Sequence, residues 1–308
     1  MHYAEHKQIL SPKNGMNLYR GCSHGCVYCD SRSRCYNLNH CFEDIEVKKD
    51  ALALLERDIR KRRGPCQIVT GSMCDPYIPL EEELKLTRGA LELISKYHCG
   101  VSILTKSARI LRDLDLLKEI NEKTKCVVSV TLTTFDEELC KKLEPNVSTT
   151  AERFKVLEAM RDAGIPTVVW LCPILPFIND TKENLAGLLD YCIRAQVSGI
   201  LFFGFGTTMR EGSREYFYKA LDKHFPGVKE KYIKEFGNEY ECRSPNEEEL
   251  MAAFVKVCQH HKIMYDSKEI FAYMRKYENK TKQLTLFDME EPPAPQTEPT
   301  PTTPEATS

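Results

Sequence analysis

The sequence lacks a charge excess of either sign: 43 Lys and Arg stand against 45 Asp and Glu, for a net charge of −2. A chain-wide basic footprint for nucleic acid is therefore absent, although a local basic face survives such a balance. Long apolar runs are lacking too. No stretch approaches the roughly 18 apolar residues that a membrane-spanning helix needs. The opening MHYAEHKQIL has no apolar run behind a basic start, so neither a leader nor a membrane partner is expected and the cytoplasm is the expected compartment. The 14 cysteines then remain thiols rather than disulfides. Five of them, Cys99, Cys126, Cys140, Cys192 and Cys258, sit in apolar or helical patterns and read as packing.

What is present suits one α/β barrel-sized domain with a tail, since 42% of the 308 residues are hydrophobic and such barrels run to about 250 residues. Between Met16 and Phe203, short β-rich runs alternate with helical patterns, the signature of repeated βα units around a parallel sheet. The expected strands are Met16 to Arg20, Gln67 to Gly71, Val101 to Thr105, Cys126 to Leu132, Thr167 to Leu171 and Ile200 to Phe203. Apolar residues at three- and four-residue intervals predict helices over Glu46 to Lys61, Leu80 to Tyr97, Ile110 to Asn121, Thr150 to Ala163 and Lys182 to Ala195. Gly164 and Pro166 stop one helix and start the next strand. After Gly206 the pattern predicts helices alone: Ser213 to His224, Val228 to Phe236, Asn246 to His261, which Ser244-Pro245-Asn246 would start, and Ser267 to Tyr277. This divides the chain into a partial barrel (1–210), a helical extension (211–278) and a tail (279–308) whose Pro, Thr and Glu composition predicts disorder.

Behind the first expected strand stands Arg20-Gly21-Cys22-Ser23-His24-Gly25-Cys26-Val27-Tyr28-Cys29, a C-x3-C-x2-C run. Chance produces that spacing roughly 0.03 times in a chain with this cysteine frequency. Three thiolates from one loop can ligate three irons of a cubane and leave the fourth open to a small molecule. A zinc site completed by His24 or Cys35 is the alternative, but a second C-x2-C is lacking. Cys35 and Cys41 could also serve a further metal.

At these residues the chain resembles the radical S-adenosylmethionine (SAM) superfamily, and within it the branch of spore photoproduct lyase. The likeness extends through TGSMCDPYIPLE, LTKSARILRDLDLL, VSVTLTT, LEPNVSTTAERFKVLEAMRDAGIPT and PILPFIND, each at an expected strand end. It implies a partial (β/α)6 barrel holding a [4Fe-4S] cluster on Cys22, Cys26 and Cys29. SAM would chelate the open iron and be cleaved reductively to methionine and a 5'-deoxyadenosyl radical. By the same resemblance Tyr28 packs near the adenine, and Ser72 and Asp75 accept from the SAM ammonium. Lys106 pairs with the SAM carboxylate, Ser129 bonds the ribose or carboxylate end, and the backbone at Pro173 and Ile174 meets the adenine. Each also has an ordinary reading: Asp75 as a turn former, Lys106 as a solvated charge, Ser129 as a buried strand hydroxyl.

The pattern departs from the lyase at two places. Ser72 stands where the lyase has its hydrogen-donating cysteine, and Asp30 where a tyrosine follows the last cluster cysteine. Cys74, on the same side of an extended chain as Ser72, is the substitute donor and the candidate catalytic residue.

In the tail, Lys282-Gln283-Leu284-Thr285-Leu286-Phe287-Asp288 resembles the peptide that bacterial repair proteins insert into the sliding clamp. Gln283, Leu284, Leu286 and Phe287 would be its anchors. Clamp tethering suggests a DNA substrate, with Arg57 to Arg63, Arg109 and Arg112 as phosphate contacts or as solvated helix faces. The expectation is a radical SAM enzyme, reduced by a flavodoxin or ferredoxin, that repairs or modifies a nucleic-acid base. A radical enzyme acting on a peptide or metabolite, and a non-catalytic metal protein recruited to the clamp, are the alternatives.

Overall fold

The structure is a computed structural model and describes residues 1–281 apart from Pro65; the Gln283–Phe287 segment lies outside the described residues. Its strands are β1 (His2–Ala4), β2 (Gly15–Met16), β3 (Tyr19–Arg20), β4 (Glu46–Lys48), β5 (Gln67–Thr70), β6 (Gly100–Thr105), β7 (Cys126–Thr131), β8 (Thr167–Trp170), β9 (Gly199–Leu201), β10 (Gly206–Thr208) and β11 (Glu241–Arg243). The helices are α1 (Ala51–Arg60), α2 (Glu81–Leu84), α3 (Leu86–Lys96), α4 (Leu114–Lys123), α5 (Glu137–Leu143), α6 (Thr150–Asp162), α7 (Lys182–Arg194), α8 (Ser213–His224), α9 (Val228–Phe236), α10 (Glu247–His261) and α11 (Ser267–Arg275).

Six strands pair in parallel in the order β2-β5-β6-β7-β8-β9. Each strand lies beside its successor in the series, as right-handed βα units require. The sheet is open, because β2 and β9 are its two edges. All six residues of β7 are buried, as expected of a central strand covered on both faces. Each fully buried Val here contributes about 1.5–3 kcal/mol by leaving water.

The predicted units largely form where the periodicity puts them, with four differences. The first expected strand is two: Met16 joins the main sheet in β2, whereas Tyr19 and Arg20 turn away as β3 and pair antiparallel with β4. Residues 46–48, expected in a helix, are that partner strand, and Asp50 in the left-handed conformation (φ 53°) begins α1. A second left-handed residue, Lys85 (φ 51°), breaks the expected Leu80 to Tyr97 helix into α2 and α3. The stretch after Gly206 is not wholly helical, because β10 and β11 form an antiparallel pair across α8 and α9.

Where local signals were strongest the match is close. Thr149 caps α6 through a reciprocal box with Glu152, satisfying two backbone donors that a helix start otherwise leaves free. The C-terminal helices share the barrel's core: Leu250, Phe254 and Cys258 of α10 join the main apolar cluster. Ile270 and Met274 of α11 pack on Val127, Val168 and Leu201 at the floor of the sheet. Among the described residues, no helix is long and apolar enough to cross a membrane.

Candidate active site

The loops at the carboxyl ends of the parallel strands enclose a cavity of about 360 Å³, the end where parallel α/β sheets bind ligands. Cys22, Cys26 and Cys29 line it together with Tyr28, Ser72, Cys74, Asp75 and Lys106. Two glycines make this convergence possible. Gly71 follows β5 with φ +99°, and a Cβ there would lie 1.9 Å from Leu104 O. Gly21, φ +81°, lies against Phe42 O, where a Cβ would sit at 2.5 Å. Left-handed backbone at such close approach suits glycine.

The cysteine loop is held from two sides. Cys22 N–H donates to Phe42 O at 3.0 Å and Val27 N–H to Leu143 O at 2.9 Å. Hydrogen bonding from the Cys74 thiol, followed by that of His24, holds the Cys22 thiol well below its ordinary pKa against the opposing effect of burial. Burial pushes the Cys26 and Cys29 thiols up.

Asp75 is already heavily used. It accepts from Tyr77 N (2.9 Å), Thr105 Oγ1 (2.7 Å) and Lys106 N (2.7 Å). Of about four acceptor positions on a carboxylate, three are occupied. Its first effect is thus to lock the β5 and β6 loops together. The Lys106 ammonium, by contrast, makes no hydrogen bond or ion pair among the described residues. Burial opposes its charge, yet Cys26, Glu144 and Asp75 raise its pKa. It remains a cation facing the cavity without a partner.

Tyr28 lines the cavity and gives its hydroxyl to Glu144, which also pairs with the fully buried Arg153. Arg153 reaches Thr131 O (2.7 Å) and the Cys140 sulfur (3.0 Å). Cys140 is therefore a hydrogen-bonding member of this network as well as packing. Burial works against the charge of Glu144, but Arg153 and Lys106 hold its carboxyl low.

Three expected contacts shift. Ser129 is fully buried and does not line the cavity; Thr131, two residues on and so on the same face of β7, does. The Ser129 hydroxyl is nevertheless without a partner. Ile174 packs into the core, and the wall beside it is Cys172 and Pro173, joined by a cis peptide. Ser72 is exposed and Cys74 buried, because β5 ends at Thr70 and the alternation of an extended strand no longer applies beyond it. Both still border the cavity.

Of the basic residues proposed for phosphate, Lys61 and Arg63 are exposed, and the other five are engaged elsewhere. Arg57 bonds Lys7 O and Asp58, Arg60 bonds Tyr97 and Glu56, and Arg62 bonds Ser11 O. Arg109 pairs with Glu82, and Arg112 with Glu81 and Asp113. Cys35 and Cys41 are exposed.

Sequence reasoning missed several members of the site. His24, 1% exposed, has Nδ1 3.5 Å from Asp75 Oδ2 and an unpartnered Nε2. Its place between two cluster cysteines was the available signal. Glu144 and Arg153 lie inside the quoted LEPNVSTTAERF segment but carry no local mark of burial. At the mouth, Trp170, Phe203 and Arg243 form the rim, with Phe203 53% exposed.

Three thiols from one loop and an unpaired ammonium lining one cavity suit an iron-sulfur cluster with a zwitterionic ligand beside it. Comparison with known proteins agrees at the level of family. Residues 16–192 match the Radical SAM superfamily. An uncharacterized protein of Mycobacterium tuberculosis is 30% identical over 223 residues, 70% of this chain and 65% of that protein. The chain thus spans just under two thirds of that relative's length. An uncharacterized protein of Methanocaldococcus jannaschii is 30% identical over 221 residues, 71% of this chain and 79% of the relative. Among solved structures, a spore photoproduct lyase mutant superposes with TM-score 0.59 at 16% identity, covering 80% of this chain and 74% of that one. A second lyase structure, complexed with dinucleoside spore photoproduct, gives 0.59 at 15% identity over the same shares. The lyase likeness is one of fold, and the superfamily implies a [4Fe-4S] cluster and SAM. The chain belongs to the radical SAM superfamily.

Proposed function

We propose that this chain is a radical SAM enzyme that abstracts hydrogen from a nucleic-acid base, for repair or modification. When bound, the cluster supplies the electron that cleaves SAM to methionine and a 5'-deoxyadenosyl radical. Cys22, Cys26 and Cys29 would hold the cluster, and Lys106 would take the SAM carboxylate in a charge-assisted hydrogen bond. The free acceptor position of Asp75 and the exposed hydroxyl of Ser72 would receive the ammonium. Thr131 and the wall at Cys172 and Pro173 would bound the adenosyl end, with Tyr28 held in orientation by Glu144. Cys74, which lines the same cavity as the three thiols and whose thiol donates to Asp75 O at 3.5 Å, would return hydrogen to the product.

The single observation that carries the SAM reading is the uncommitted Lys106 ammonium in the same cavity as the three thiols. Support for a base as substrate comes from the rim. Trp170 and Phe203 meet edge to face at 6.1 Å and border the mouth next to Arg243, and aromatic faces are the sequence-tolerant platform for unstacked bases. A lyase of the same fold is described as binding dinucleoside spore photoproduct, and the Gln283–Phe287 peptide suggests recruitment to DNA.

The test is transfer of deuterium. Reduced, reconstituted enzyme with SAM and deuterated thymine-containing oligonucleotides is expected to yield labelled 5'-deoxyadenosine. Label appearing only from peptide or small-metabolite substrates would replace the nucleic-acid reading.

A further inference from the structure

Outside the cavity, β1, β4 and β3 form a separate three-stranded sheet. Around it lie three histidines and two carboxylates distant in sequence: His2, His6, His40, Asp44 and Glu46. One ligand atom from each of His2, His40 and Asp44 lies within 4.8 Å of the others. The rings of His2 and His40 stand edge to face with centroids 4.8 Å apart.

The hydrogen bonds set the available lone pairs. His40 Nδ1 donates to Cys41 O at 2.9 Å, which leaves Nε2 as the basic nitrogen. That Nε2 is buried without a hydrogen-bond partner, on a side chain only 10% exposed. Its near polar neighbour is Glu46 Oε2 at 3.8 Å, too far for a hydrogen bond. His2 Nδ1 meets Asp44 Oδ2 at 2.9 Å, and its Nε2 faces Glu46 Oε2 at 3.9 Å. Asp44 Oδ1 lies 3.1 Å from the amino group of Met1, so Oδ2 is the oxygen that faces His2 Nδ1. Glu46 is 5% exposed, accepts from His6 Nε2 at 2.9 Å and lies 3.9 Å from Arg20.

We propose that His2, His40 and Asp44 bind a divalent first-row transition ion, with Zn²⁺ as the reference case, in a site distinct from the cluster. Two imidazoles and one carboxylate are a donor set that zinc accepts at about 2.0–2.2 Å, with water as a fourth ligand. Glu46 stands behind the second nitrogen of His2, where an outer carboxylate orients a metal-bound imidazole, and the Cys41 carbonyl does the same for His40. An ion there also resolves the orphaned nitrogen, which a purely protonic network leaves unsatisfied.

The site would act on the cluster loop through one strap. His40 and Asp44 flank Phe42, whose carbonyl accepts from Cys22 N–H and crowds Gly21. The Arg32 guanidinium lies 4.5 Å over the Phe42 ring. Pinning His40 and Asp44 to β1 holds this strap against the loop that carries the cysteines.

The test uses anaerobic holoprotein equilibrated with buffered Zn²⁺, with zinc and iron counted separately by mass spectrometry. One zinc per chain is expected with iron unchanged, falling to near zero in the His2→Ala/His40→Ala double variant and staying at one in His98→Ala. Zinc-edge absorption on the unmutated holoprotein keeps the question open to refutation even when the double variant misfolds. A shell of nitrogen and oxygen at about 2.0–2.1 Å is expected. Sulfur at about 2.3 Å, zinc gained only as iron is lost, zinc unaffected by the double variant, or no zinc at all would each overturn the proposal.

Discussion

The floor and the rim of the cavity are built on opposite terms. At the floor, Asp75 holds two loops through three hydrogen bonds, and Tyr28, Glu144 and Arg153 form a buried chain of charge-assisted contacts. At the rim, Phe203 is half exposed, and Arg243, itself exposed, bonds the side chains of Glu241 and Glu247 and the Phe203 carbonyl at 3.4 Å. A radical cofactor needs fixed geometry and dry surroundings, whereas a substrate must enter and leave. The difference teaches that the end of the cavity near the cysteines is cross-linked by buried polar contacts while the other end is open, which is the division the proposed function requires.

The sharpest attempt to break this contrast is at the floor. Cys26→Ala is expected to lower iron from roughly four per chain to near none and 5'-deoxyadenosine formation to background, read by iron assay and chromatography. An unaltered iron content would end the assignment of the loop.

Arg153→Met should come next. It strands the Glu144 carboxylate, since both partners are fully buried, and removing one member of such a pair costs about 3–5 kcal/mol. Denaturant unfolding checks this, and the Glu144→Gln/Arg153→Met double variant is expected to recover part of the loss. If the single variant loses less than a surface substitution does, the floor is not the rigid end.

Lys106→Met is expected to keep its iron while SAM binding weakens by about 1.5–3 kcal/mol, the worth of a hydrogen bond to a charged group. Equilibrium dialysis of SAM against reconstituted protein measures it. Unchanged affinity would remove Lys106 from the SAM site.

The smallest effect belongs to the rim. Phe203→Ala should leave SAM cleavage in the absence of substrate unchanged and raise the apparent KM for an oligonucleotide, by about 1–3 kcal/mol per stacked base. Equal loss in both assays would erase the division between floor and rim.

Legibility followed range. The α6 boundaries were readable because Thr149, Glu152, Gly164 and Pro166 act on their own neighbourhood. The split between β2 and β3 was not, since Asn17 and Leu18 carry no break signal and the separation arises from Tyr19 pairing with Val47. Lys106 was legible as a residue after a strand, but the groups that sustain its charge against burial, Cys26, Glu144 and Asp75, arrive from three other segments. Ser129 and Thr131 share a face and a chemistry, and only depth in the barrel tells them apart.

By itself the sequence determined the order of βα units and the three thiols of the Cys22–Cys29 loop, because periodicity and a short loop act over a few residues. The tertiary structure decided which polar groups meet: Tyr28 with the buried Glu144, 116 residues apart, and the half-exposed His2 and Asp44 with His40. Such groups meet only when distant segments fold together, and where water is excluded, as around Glu144 and Arg153, the cost of burying one charge is offset only by its partner.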